Sequence, residues 1–284
     1  MTSTRREFLM AAGGAALLAA CGGDPKGASS SVASGSGFQV VQRFSNTALF
    51  VPGDVRLPFS LAVDGTLQQS GPASLKGWIE DADGTRLVDI TGVLRAEGIG
   101  NPYWEVRTTL EKALLYTARF EGDDGYGAAF ELFERGEVES PLIGDPMPPF
   151  DTPTVDDHRG VEPYCTLSPE PCPFHEVTLT EALASGKPVV YVVGTPAHCQ
   201  TGTCAPGLQF AITEQQRVGD AAVFVHADVY ADDAATTVAP AVVALHVDYE
   251  PIVYLCDAKG TLVDRLDAVW DASELRDRID ALLA

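Results

Sequence analysis

The chain has 284 residues, 45% of them hydrophobic, with a formal net charge of −21 and a pI near 4.4. That length favours two domains over one, and the hydrophobic share supports packed cores and excludes a wholly disordered chain. A surface this acidic repels phosphate backbones and excludes nucleic acid as a partner. Six cysteines point to an oxidising compartment.

Residues 1–20 read as a targeting segment. Thr4-Arg5-Arg6-Glu7-Phe8-Leu9 matches the twin-arginine export pattern, and an apolar, small-residue run follows from Met10 to Ala20. The run ends Leu18-Ala19-Ala20-Cys21, which resembles a bacterial lipobox. In signals of that kind the cysteine is lipidated and becomes the new N-terminus. Cys21 is therefore the expected lipidation site, and the expected location is the extracytoplasmic face of the cell membrane, held by the lipid anchor only. An ordinary cleaved signal that leaves Cys21 free is the alternative. Residues 21–37 are rich in Gly, Ser and Ala without periodicity and read as a flexible tether. Nothing beyond residue 21 is apolar for long enough to span a bilayer.

Residues 38–137 are strand-rich. Short β-type runs recur at 38–41, 55–63, 75–80, 103–107, 114–120 and 128–133, with Asp64-Gly65, Asp83-Gly84 and Asp124-Gly125 as turns. About seven short strands at this spacing predict an immunoglobulin-like β-sandwich, a spacer or interaction module. The segment has no cysteine or histidine, and its aromatics (Trp78, Tyr103, Trp104, Phe120, Tyr126) suit core and rim packing.

Residues 138–175 form a proline-rich connector, which excludes helix and disfavours a central strand. It carries Cys165 and Cys172, expected to pair as a structural disulfide that stiffens the loop. Free thiols and a metal pair are the alternatives, the metal with only His158 and His175 nearby as further ligands, where a site needs about four. The expected number of metals and cofactors is therefore none.

From residue 176 the pattern alternates. Thr178 and Glu181 form a capping box ahead of a short helix, Leu179 to Ser185, closed by Gly186. Val189 to Val193 is an apolar β-branched run, the mark of a strand buried on both faces. It runs into a polar turn with Cys199 and Cys204, and a helix follows from Pro206 to Val218. Two cysteines five positions apart within one helix would sit about 7.5 Å apart from rise alone, and a disulfide needs Cα atoms within about 7 Å. The pair closes only if Gln200-Thr201-Gly202-Thr203 loops out, with helix starting near Cys204. Further strands fall at 222–227, 251–256 and 261–266, a short helix near Pro240, and a last helix from Asp271 with Glu274 as its capping partner. Cys256, in a strand, reads as a small core residue.

A strand, a thiol turn and a helix in this order resemble the active-site region of the thioredoxin superfamily, over about residues 176–284. The stretch T-P-A-H-C-Q-T-G-T-C-A-P with the later Y-E-P is similar to a variant Cys-x4-Cys thioredoxin-like family of high-GC bacteria; the usual spacing is two. The resemblance implies an α/β thioredoxin-like fold at 176–284. It also implies a nucleophile at Cys199, a resolving thiol at Cys204 and a cis-proline at Pro251. His198, when protonated, would stabilise a Cys199 thiolate, and Glu250 would work against it. Two functions stay open: thiol–disulfide exchange on exported protein thiols or with a redox partner, and a non-catalytic binding or assembly module with structural disulfides. A peroxidase using Thr195 or Thr201, and copper delivery with His198, His226 or His246, fit the spacing less well.

Overall fold

A computed structural model describes residues 37–45 and 49–284. The targeting segment, the Cys21 lipidation site and the tether up to residue 36 lie outside the described residues. In chain order the first strands are β1 (Gln39–Gln42), β2 (Gly53–Val63), β3 (Thr66–Leu67), β4 (Ser74–Asp81), β5 (Arg86–Arg95), β6 (Tyr103–Leu110), β7 (Leu115–Phe120) and β8 (Ala128–Glu131). They form one antiparallel sheet in the order β1-β2-β6-β5-β4-β7-β8, with β3 paired to β2. The sheet curls until its ends meet: the Asp124 amide donates to the Phe38 carbonyl and the Phe133 amide to that of Phe50, each at 2.9 Å. Strand alternation sends Val55, Leu57, Phe59 and Leu61 of β2 and Trp104 and Val106 of β6 into the enclosed core. There Phe59 meets Phe44 and Phe120 edge to face.

The second sheet comprises β9 (Val189–Val193), β10 (Val223–Ala227), β11 (Ile252–Cys256) and β12 (Leu262–Asp267), in the order β10-β9-β11-β12. β10 lies parallel to β9, and β11 runs antiparallel to both β9 and β12. Helices α1 (Leu179–Ala184) and α3 (Pro240–Leu245) cover one face; α2 (Cys204–Val218) and α4 (Ala272–Leu283) cover the other. Every residue of β9 is therefore buried, as its unbroken apolar run requires.

The expected fold class, an all-β sandwich plus a C-terminal α/β thioredoxin-like domain, does not hold. A sandwich needs two facing sheets, and here one sheet is nearly closed on itself. Short strands and Asp-Gly turns serve both designs, and edge pairing alone separates them. β5 is not among the expected runs, because Arg86, Asp89 and Gly92 interrupt it and half of its residues are exposed. Nor is the C-terminal half a clear α/β thioredoxin-like domain. Strands and isolated bridges take up 34% of the described residues and helices 18%, and the second sheet is small and mixed. The described residues form one compact unit. The connector belongs to that unit: Met147 packs with one face of the second sheet, and Cys165, Cys172 and Phe174 pack with the other.

The barrel wall and α4 are joined by charge. The same alternation that turns Val55 and Leu57 inward turns Arg56 outward, beside Tyr103, Glu105 and Arg107 of β6. The Arg56 guanidinium donates to both Glu274 carboxylate oxygens at 2.6 Å and to the carbonyls of Asp267 and Val269. The Tyr103 hydroxyl donates to Glu274 and accepts the Asp271 amide. Arg95 bridges Glu105 on the wall and Asp277 on α4. Glu274 is fully buried, so the pair persists only because its hydrogen bonds are met from both sides.

Arg56→Ala leaves Glu274 buried without its partner. It should lower unfolding stability by about 3–5 kcal/mol, read as a fall in the denaturant midpoint. A midpoint equal to the parent's would show that the pair does not tie the two sheets.

Candidate functional site

The thiol turn hangs between the end of β9 and the start of α2. Gly194 ends the strand where space is short: a Cβ there would lie 3.2 Å from Pro251 Cβ and 3.5 Å from Cys204 Cβ. Thr195 follows, fully buried, its hydroxyl accepting the Val229 amide at 2.7 Å. The chain then turns twice, the His198 amide donating to Thr195 and the Gly202 amide to Cys199. Gly202, at φ +69°, occupies the left-handed region that favours glycine.

Cys204 is the first residue of α2, where closing the cysteine pair requires the helix to start and two positions ahead of Pro206. The looped-out turn brings its Cα to 5.9 Å from that of Cys199, and the two sulfurs are bonded. The two cysteines differ in access. Cys199 is partly exposed, whereas Cys204 is 2% exposed beneath the turn. The Cys204 amide donates to Cys199 Sγ at 3.2 Å, and the Thr201 hydroxyl lies 3.3 Å from the same sulfur. The Thr203 side chain does not cap α2 but donates to the Ala268 carbonyl, so the positive end of the helix dipole faces the sulfurs.

Glu250 closes the site from the β11 side, ahead of a cis Glu250–Pro251 peptide bond. A carboxylate oxygen of Glu250 and both sulfurs lie within 4.8 Å of one another. The Thr195 amide donates to Glu250 at 2.5 Å. Burial pushes the Glu250 carboxyl up; the Thr195 hydrogen bonds and the neighbouring His198 and His226 oppose it.

The His198 ring packs edge to face on Tyr230 with centroids 6.2 Å apart, and its Nε2 is buried without a hydrogen-bond partner. The groups within hydrogen-bond reach of Cys199 Sγ are the Thr201 hydroxyl, which the peroxidase reading named, and the Cys204 amide, which residue-type matching alone did not single out. Cys256 is fully buried in β11, and burial pushes its thiol up to about 12, which leaves it inert.

A second group of sulfurs lies under the connector. Cys165 and Cys172 are both buried and, contrary to the expected staple, unbonded. They converge with His175 and His226 of β10, one donor atom from each residue lying within 4.8 Å of the others. The other histidines weighed from sequence lie elsewhere, with His158 paired to Glu162 and His246 beside Glu139. The Cys-x6-Cys-x2-His spacing was legible, but the fourth member sits 51 residues beyond His175 and came together only through folding.

Among the described residues, no helix is long and apolar enough to cross a membrane. No protein-family profile, curated protein or solved structure matches the chain.

The Glu250 carboxylate, close to both sulfurs, opposes thiolate formation in the reduced pair. In Glu250→Gln the pH profile of Cys199 alkylation should move down by on the order of one unit. A profile unchanged or moved upward would remove Glu250 from the site's electrostatics.

Proposed function

We propose that the chain is a membrane-anchored, extracytoplasmic protein that exchanges disulfides with exported proteins or a redox partner through Cys199 and Cys204. One observation carries this reading. The bonded pair is asymmetric, Cys199 partly exposed in the turn ahead of the helix and Cys204 buried at its first residue. A disulfide that only stapled the turn would not need its outer cysteine partly exposed beside a helix N-terminus.

The chemistry follows from that asymmetry. A partner thiolate attacks Cys199 Sγ, the bond to Cys204 breaks, and its electron pair leaves on Cys204 Sγ. The Glu250 carboxyl, whose pKa burial raises, lies within 4.8 Å of both sulfurs. The partner is now held through Cys199 as a mixed disulfide. Its second thiolate attacks its own bonded sulfur and releases Cys199 as a thiolate, which accepts the Cys204 amide hydrogen bond. The partner dithiol is oxidised and the pair reduced; the same steps reversed carry the opposite transfer. No cofactor is required.

Cys204→Ser should trap partners through Cys199, because no resolving thiol remains, and Cys199→Ser should trap little. Non-reducing gels of the exported protein read both. Equal trapping in the two variants would overturn the roles. No trapping in either, together with loss of thermal stability on reduction, would make the bond a structural staple.

Anchoring rests on Leu18-Ala19-Ala20-Cys21 after the arginine pair. Cys21→Ala should move the protein from the membrane fraction to the soluble one. A variant that remains as membrane-bound as the parent would rule out the lipid anchor.

A further inference from the structure

We propose that Cys165, Cys172, His175 and His226 form a buried Cys2His2 site for one divalent transition-metal ion of the zinc class, which clamps the proline-rich connector onto β10.

The distances match a tetrahedron. Metal–sulfur bonds of about 2.3 Å and metal–nitrogen bonds of about 2.0–2.1 Å place sulfur and nitrogen about 3.5 Å apart and two nitrogens about 3.3 Å apart around a tetrahedral ion. Here Cys165 Sγ and Cys172 Sγ lie 3.7 Å and 3.4 Å from His226 Nδ1, and His175 Nε2 lies 3.2 Å from that nitrogen. All four residues are 5% exposed or less.

The outer hydrogen bonds set the tautomers. His175 Nδ1 is 3.1 Å from the Pro153 carbonyl, and His226 Nε2 is 2.8 Å from the Gly194 carbonyl and 3.4 Å from Asp228 Oδ1. Acceptors on those sides require a proton on each of those nitrogens. In the neutral rings the opposing nitrogens, His175 Nε2 and His226 Nδ1, then both present lone pairs, 3.2 Å apart. Two facing lone pairs need a cation between them. Carbonyl or carboxylate partners behind ligating imidazoles are the usual support of such sites. The Cys172 amide donates to Cys165 Sγ at 3.3 Å, as an amide does to a metal-bound thiolate.

Charge is balanced. Binding a divalent ion releases the two thiol protons and leaves two thiolates and two neutral imidazoles around it, a site of net charge zero. That suits complete burial. Two sulfurs and two imidazoles in a tetrahedron select zinc over hard cations such as magnesium or calcium.

The site also reaches the thiol turn without sharing a ligand with it. His226 holds the Gly194 carbonyl, while Thr166, next to Cys165, donates its amide to Asp228 and accepts the Ala197 amide. The ion would anchor the connector to the strand end from which the turn departs.

The full exported protein, purified without chelator, should contain about one zinc per chain. After stripping and refilling with cobalt(II), it should show the intense visible bands of tetrahedral cobalt and thiolate-to-cobalt charge transfer. Cys165→Ser should lose both, whereas a Cys199→Ser, Cys204→Ser double variant should keep them. Should Cys165→Ser fail to fold, the parent still decides: Cys165 and Cys172 should resist alkylation until a chelator removes one equivalent of zinc. A Cys165–Cys172 disulfide in the native protein would overturn the proposal. So would metal lost from the Cys199/Cys204 double variant, or alkylation of the two buried thiols that is indifferent to chelator.

Discussion

Arg56 and Glu274 are 218 residues apart, and the way they meet decides how the two sheets stand against each other. Neither side chain would be stable where it is alone. An unpaired guanidinium on the barrel wall or an unpaired carboxylate under it would cost several kcal/mol. Placed together, with Tyr103 and two backbone carbonyls completing the shell, they make one arrangement acceptable and its neighbours costly. The pair acts more as a locator than as a source of stability, since apolar groups of equal shape would pack there as well.

That location carries through to the thiols. Glu274 lies in the first turn of α4, whose Leu275 and Ile279 pack in the same core as Leu208 and Ala211 of α2. The first residue of α2 is Cys204. A chain of rigid pieces therefore connects the barrel wall to the shielded sulfur. The exposed sulfur is held differently, by a turn whose fixed points are Gly194, Thr195 and the Cys204 amide. One cysteine is set by helix packing and the other by a loop, which gives the pair an inner and an outer member.

The connector changes character once folded. Nine prolines between Pro141 and Pro173 keep it out of regular structure, yet Met147, Val161 and Phe174 are among the buried residues. Backbone bonds from Gly144 to Leu262 and from Met147 to Gly260 lay its first part along β12 and the turn before it. Its second part brings Cys165, Cys172 and His175 against β10. Proline suits this role: it lowers the entropy lost when a strap without helix or ladder bonds is ordered.

Some of this was determined by the amino-acid sequence alone. The β9 run, the capping box at Thr178, the N-cap at Asp271 and the need for a looped-out turn at Gly202 rest on interactions within a few residues, and the structure places them where local chemistry put them. The second half of the box expected at Asp271 does not form, because Glu274 turns to Arg56 and Tyr103 and the Asp271 amide donates to Tyr103 instead. Strand geometry also fixes which side chains of β2 and β6 share a face. Only the tertiary structure decided what lies opposite those faces. Strand alternation says that Arg56 points away from Leu57, but not that α4 will be waiting there. It cannot tell a closed sheet from two facing ones, because both bury the same residues. The fate of Cys165 and Cys172 was likewise out of reach. Their short separation favours a bond, and the histidine that draws them into a different cluster lies on a strand more than 50 residues away. Contacts of that range arise when sheets and connectors pack, and no local preference encodes them.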